Sequence, residues 1–269
     1  MKNSMYVVTH KQVDIPEIDG YKPIVVGKNE VSYSDFVRDN TDDNIAEKNP
    51  NYCELTALYW MWKNDQDSNL IGLSHYRRFF STNISNARKE VCLQWREAEK
   101  ILKSYDVILP YPKTWFDCSV KQWFLETDGK KKDIDALREV VAGLAPDYID
   151  SYDFIMDGPW ASYFNMFVMP KEMMNRYCEW LFKILFELEK RIDISNYTPL
   201  EARIYGFLSE RLLNIWMHKN KYRIKYLPVF QVEKKQSYKM MVKDVLKYNV
   251  STKKILSIFK QGSWGNLHK

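Results

Sequence analysis

Short runs of β-branched and aliphatic residues alternate with stretches of helical periodicity along most of this chain, and that alternation constrains the fold more than any other feature. Met5-Tyr6-Val7-Val8-Thr9 has a buried-strand pattern ending at the polar His10-Lys11, and Pro23-Ile24-Val25-Val26-Gly27 repeats it. From Tyr52 to Lys63 the apolar residues Leu55, Leu58, Tyr59 and Trp62 share a helical stripe, after which Leu70-Ile71-Gly72-Leu73 reads as a central strand. A helix around Cys92–Ser104 precedes the strand Asp106–Pro110, and residues 115–149 are largely helical with a charged bend at Asp128–Asp133. Tyr163–Met169 reads as a further strand, followed by helices opening at Pro170 and covering about Leu200–His218. The expectation is an α/β fold with a mixed, mostly parallel central sheet flanked by helices. Ligands of such sheets bind beyond the carboxyl ends of the strands. Here that edge is expected to gather His10, the Asp39–Asn44 loop, the His75–Arg78 segment and the Asp106 strand.

The 269 residues suffice for one large domain with a sizeable core, and 45% hydrophobic with 28% charged residues is a globular composition. The net charge of +5 is unevenly distributed. Lys221–Lys269 holds twelve Lys and Arg against two acids, a net +10, while residues 1–220 hold 28 against 33, a net −5. No zinc-finger spacing or RNP-type strand accompanies these charges, which argues against a nucleic-acid partner. The four cysteines form no CxxC pair and are expected to be reduced, with Cys53 and Cys178 as packing residues. No apolar run approaches the roughly 20 residues that cross a bilayer, and no signal-type segment precedes the first strand, so a cytoplasmic location is expected.

GxxxxGK, GxGxxG and GxSxG are all absent, which disfavours P-loop kinases, Rossmann dehydrogenases and α/β-hydrolases. Two guanidiniums at a strand end, Arg77 and Arg78, offer forked donors suited to a diphosphate. Taken alone, an Arg-Arg pair reads first as one arginine paired with a carboxylate such as Glu54 and the other solvated. Arg203, Gly206 and Glu210 fall on one helical face, and a helical glycine usually marks a close approach. Glu210 then either faces a cleft or forms an ion pair such as Glu210–Arg211. Asp65-Gln66-Asp67 has the Asp-x-Asp pattern of a divalent-ion ligand, but it precedes its strand and reads as a solvated turn; Asp42-Asp43 has the same ambiguity. No pair of carboxylates of the glycosidase kind stands out.

Asn49–Asn64 (NPNYCELTALYWMWKN), Ile71–Phe80 (IGLSHYRRFF), Phe164–Glu172 (FNMFVMPKE), Tyr177–Phe182 and Arg203–Trp216, taken in order, resemble the motifs of a bacterial glycosyltransferase family long catalogued as a domain of unknown function. Its members accompany capsule, exopolysaccharide and O-antigen genes and include galactofuranosyltransferase domains. The resemblance spans about residues 5–228. It implies a GT-A-like domain over residues 1–228 and a basic, helical C-terminal tail over residues 229–269. It also implies a uridine-diphosphate (UDP) sugar donor, with galactofuranose as the first candidate and an inverting outcome, and a lipid-linked glycan acceptor.

Under that resemblance Arg77 and Arg78 would neutralise the leaving diphosphate in place of a metal, and Glu210 would be the base, with Asp157 or Glu54 in reserve. Alternatively His75 with Asp106 or Asp43 would hold Mn²⁺ or Mg²⁺. His10, Asp43 and Asn44 are expected near the uridine and Asn165 at a sugar hydroxyl; Tyr76 and Arg203 complete the donor site. The tail segment Val250–Lys260, mixing lysines with Ile255, Leu256, Ile258 and Phe259, would lie on the anionic inner face of the plasma membrane. A non-catalytic carbohydrate-binding or scaffold protein is the competing class.

Overall fold

The computed structural model describes residues 2–28, 31, 33, 35–82, 92–114 and 117–231. Strand β1 (Lys2–Thr9) lies inside the main sheet, flanked in parallel by β2 (Tyr21–Val25) and β4 (Ser68–His75). Beyond β2 runs the short parallel β3 (Val37–Arg38). On the other side β9 (Phe167–Pro170) is antiparallel to both β4 and β6 (Val107–Pro110), and β10 (Ile224–Leu227) pairs in parallel with β6. The order β10-β6-β9-β4-β1-β2-β3 is the mixed, mostly parallel sheet expected. From the end of β4, β5 (Arg78–Phe80) folds back and pairs antiparallel with β11 (Val229–Gln231). A separate ribbon joins β7 (Lys113–Thr114) to β8 (Trp160–Ala161).

The helices are α1 (Asn49–Tyr52), α2 (Leu55–Asn64), α3 (Trp95–Leu102), α4 (Val120–Thr127), α5 (Lys131–Leu144), α6 (Ile149–Asp157), α7 (Lys171–Glu189) and α8 (Ile204–Lys219). Alternation along β1 divides its side chains between two faces. Tyr6 and Val8 join Leu58, Leu181, Leu185 and Leu212 in the main core, so α2, α7 and α8 cover that face. Met5 packs with Ile108, Val168 and Ala98 of α3, and Val7 with Phe79 and Phe230, on the other. Each such fully buried aliphatic or aromatic side chain contributes roughly 1.5–3 kcal/mol. Among the described residues no helix is long and apolar enough to cross a membrane.

Four expectations need correction. The segment before β9 is not strand: Phe164 and Asn165 take positive φ, 77° and 51°, and make a turn. Asp106 sits at the amino end of β6, and β6 runs in the same direction as β4, so Asp106 lies on the sheet edge opposite His75. There it forms a forked pair with Arg223, which holds its pKa below the ordinary carboxylate value. Asp65 is a buried organiser rather than a solvated residue, accepting from the Tyr6 hydroxyl at 2.8 Å and from Ser68. The sheet also continues past residue 228, because Val229–Gln231 is β11. Residues 232–269, including Val250–Lys260, lie outside the described residues.

Candidate functional site

The carboxyl ends of β1, β2 and β4 open into a cavity of about 680 Å³. Val8, His10 and Val26 form its floor on the β1–β2 side, and Asn49, Pro50, Cys53 and Glu54 enter from the α1–α2 junction. His75, Tyr76, Arg77 and Arg78 come from the end of β4, and Arg203, Gly206, Phe207 and Glu210 from α8 and the turn before it. The far wall is built from Lys113, Trp123, Thr127, Asp128, Tyr163 and Phe164.

The Phe164–Asn165 turn is the hub of this site. Two residues in the left-handed region cost on the order of 1–3 kcal/mol each and persist only where the surroundings hold them. Here α8 holds them: Asn214 pairs with the backbone N–H and C=O of Ser162, and Glu210, one helical turn earlier, accepts the Phe164 N–H on Oε1 at 2.7 Å. The Phe164 carbonyl lies 2.7 Å from His75 Nε2. A carbonyl can only accept, so this contact calls for the Nε2–H tautomer. Burial holds the His75 pKa below its ordinary value, opposed by Glu54, so the ring is neutral at pH 7. Asn165 donates through Nδ2 to Glu54 Oε1 at 2.8 Å and to the Gly206 carbonyl at 3.3 Å. It therefore stands behind the wall and positions Glu54, rather than reaching into the cavity as expected.

Cations gather around the Phe164 ring. The Arg78 guanidinium lies 4.3 Å from the Phe164 ring centre, and Lys113 Nζ 5.3 Å from the same ring. Among the described residues Arg78 Nε is buried with no hydrogen-bond partner. Burial, and then Arg77, disfavour the charge on Arg78. Lys113, exposed as a residue, has an ammonium whose pKa loss of hydration lowers, with Glu210 pulling the other way. Arg77 lies over the Tyr76 ring, which His10 meets edge-on at 5.2 Å.

Glu210 lines the same cavity, and its side chain is 14% exposed. Burial raises its pKa to about 7, with Arg211 lowering it, Glu54 raising it, the Phe164 N–H lowering it and Asp128 raising it. A pKa there suits a group that takes up a proton near neutral pH, and Glu210 is among the residues lining the cavity. Both readings of Glu210 therefore hold at once, since Oε2 also pairs with Arg211 Nη1 at 3.1 Å. The close approach expected at Gly206 is that of Cys53: a Cβ there would stand 3.2 Å from Cys53 Sγ. Cys53 is thus a cavity residue as well as a packing one, accepting from Arg203 Nε at 3.1 Å.

Asp43, Asn44 and Asp157 are not brought to the cavity. Asp43 accepts from the Tyr59 hydroxyl, Asn44 caps its own turn through Asp42 and Ala46, and Asp157 lines a separate acidic cleft beside Trp160. Asp106 is on the other edge, so neither set proposed for a metal, His75 with Asp106 or with Asp43, is assembled. Among the described residues no group of three His, Cys, Asp or Glu side chains is placed to hold a metal ion. Lys113, Trp123 and Asp128 were not anticipated as site residues. Lys113 follows β6 by three residues, so the rule that ligands gather at carboxyl strand ends would have pointed to it.

A family model described as a domain of unknown function (DUF4422) matches residues 4–221. Among solved structures, the apo structure of the WbbM bifunctional glycosyltransferase is similar, with a TM-score of 0.80 and 29% sequence identity over 87% of this chain and 46% of that one. This chain thus spans less than half the length of that relative. No curated protein matches it. The sheet and its flanking helices form the GT-A-like arrangement expected.

Proposed function

The chain belongs to the DUF4422 family, and from that premise we propose that it is a glycosyltransferase of bacterial surface polysaccharide synthesis, moving a hexose from a UDP-sugar to a hydroxyl of a lipid-linked glycan. The observation that carries this reading is one cavity that brings together three cations, Arg77, Arg78 and Lys113, and a carboxylate, Glu210, whose pKa lies near neutrality. A diphosphate leaving group needs the first and an attacking hydroxyl needs the second. The similarity to a glycosyltransferase supports assigning both to sugar transfer.

The uridine end of the donor would lie over Val8 and Val26, beside His10 and Asn49, with the diphosphate reaching Arg77 and Arg78. An anion there would offset the repulsion between these two arginines. As the bond from the anomeric carbon to the diphosphate oxygen breaks, its electron pair stays on that oxygen and the cations neutralise it. The acceptor oxygen attacks from the opposite face, its proton passes to Glu210, and the configuration inverts. In this reading the positive charge at the diphosphate comes from Arg77, Arg78 and Lys113. The basic composition beyond Gln231 supports a peripheral hold on the anionic inner membrane surface, where the lipid-linked acceptor resides.

A panel of UDP-sugars with UDP-galactofuranose first, assayed for transfer and hydrolysis with and without chelator, tests the reading. Turnover of one donor that survives chelation is expected. Binding without turnover across the panel would instead identify a carbohydrate-binding or scaffold protein.

A further inference from the structure

Behind Glu210 lies a buried arrangement that sugar transfer alone does not explain. Arg211 is wholly buried: the Phe124 and Tyr163 rings lie 5.1 and 4.9 Å from its guanidinium, Nη1 donates to the Phe207 carbonyl at 2.9 Å, and Nε is buried with no hydrogen-bond partner among the described residues. Nη1 also meets Glu210 Oε2, while Nη2 meets Asp128 Oδ2. The two carboxylates keep 14% and 19% exposure where they line the cavity, whereas the cation has none. Arg211 therefore cannot bind a substrate anion; it acts through the two acids.

The position of Asp128 is costly for stability alone. It caps the carboxyl end of α4, where the helix dipole favours cations. The turn is pinned there by Gly129, at which a Cβ would stand 2.3 Å from the Phe124 ring and 2.8 Å from Ile204 Cδ1. Buried ion networks of this kind are seldom worth more than the apolar side chains that could replace them.

We propose that Asp128 and Arg211 are positioning residues for Glu210: Arg211 fixes the carboxylate, and Asp128, by sharing the guanidinium, keeps it from holding Glu210 ionised at low pH. This rests on the reading of Glu210 as the base. The other charges facing Glu210 are set in place around it. Arg78 and Lys113 attract it from β5 and β7, and Arg203 from the turn before α8. Glu54 repels it from the start of α2, and the neutral Cys53 and Tyr163 flank it. Of these neighbours, Asp128 is the one that shares a cation with Glu210 through hydrogen bonds.

The test uses the whole chain with ¹³C-labelled glutamate, the Glu210 carboxyl resonance being assigned by its loss in Glu210→Gln. Asp128→Asn keeps an acceptor for Arg211 and removes the charge. It should shift both the Glu210 titration and the acid limb of kcat/KM about one pH unit downward, making the fraction of plateau activity retained at pH 5 up to tenfold larger. Asp128→Glu should return both toward the parent. A shifted titration with an unshifted rate profile would keep the tuning and remove Glu210 as base. An unshifted titration, or activity lost equally at every pH, would overturn the proposal. If Asp128→Asn does not fold, Asp128→Ser serves the same comparison, and a Glu210 carboxyl that titrates near 4.5 in the parent chain would overturn the proposal on its own.

Discussion

The backbone N–H of Phe164 donates to Glu210 Oε1 across 2.7 Å from a residue whose φ is +77°. A helix side chain thereby holds a left-handed turn, and the turn in return aims the carboxylate at the cavity. Glu210→Gln keeps the acceptor oxygen and removes the base, so transfer should fall by about 10²- to 10⁴-fold with folding intact. Steady-state kinetics with the active donor, alongside circular dichroism, check this.

Protonation of Glu210 should also be visible in stability. Its folded pKa of about 7 exceeds the ordinary 4.5, so the native state binds that proton more tightly than the unfolded chain does. The contribution is fully present below pH 4.5 and is lost as pH rises through 7. Urea unfolding should therefore show Glu210→Gln gaining on the parent between pH 5 and 8. An unchanged difference across that window would mean that the carboxyl is not perturbed.

Arg78→Ala should cost more than Arg77→Ala, because burial disfavours the Arg78 charge and its Nε is buried with no partner among the described residues. A loss of about 10²-fold in kcat/KM is expected for a charge-stabilising donor. Arg78→Lys should restore only part, since an ammonium lacks the fork. Lys113→Ala should lower kcat with a smaller effect on donor KM if its charge matters mainly as the diphosphate leaves. Product-formation assays over a donor concentration series separate the two constants.

Asn165→Ala should destabilise the fold by about 1–3 kcal/mol, combining a lost hydrogen bond to Glu54 with the left-handed backbone at φ +51°. Asn165→Gly should recover the backbone part. Thermal unfolding of the two variants against the parent measures both components.

Much of this architecture was legible in the chain because the strands β1, β4 and β6 are short apolar runs with polar ends, and α7 and α8 carry clear stripes. The Phe164 turn was not legible: Tyr163, Phe164 and Met166 read as strand residues, and the groups that hold the bend, Glu210, Asn214, His75 and Glu54, are distant in sequence. Asp106 illustrates a second failure. Its strand was placed correctly, but the acid opens that strand, and direction along the sheet decides which edge it occupies. Asp128 read as part of a charged bend because nothing local links it to Arg211, 83 residues away.

Membrane attachment should be tested with a chain ending at Gln231 rather than Pro228, since the shorter cut would remove β11. The full chain should bind anionic vesicles in a salt-sensitive way, and the chain ending at Gln231 should not. Equal binding by both would place the attachment elsewhere.

Gln231 and Arg78 are register partners in the β5–β11 ladder. The last described residue before the basic stretch is therefore fixed beside Arg78, roughly one strand spacing of 4.8 Å away. Whatever holds the basic stretch close to its root would therefore be tied through one backbone ladder to the strand that carries Arg78 into the cavity, so tension on one would be felt at the other.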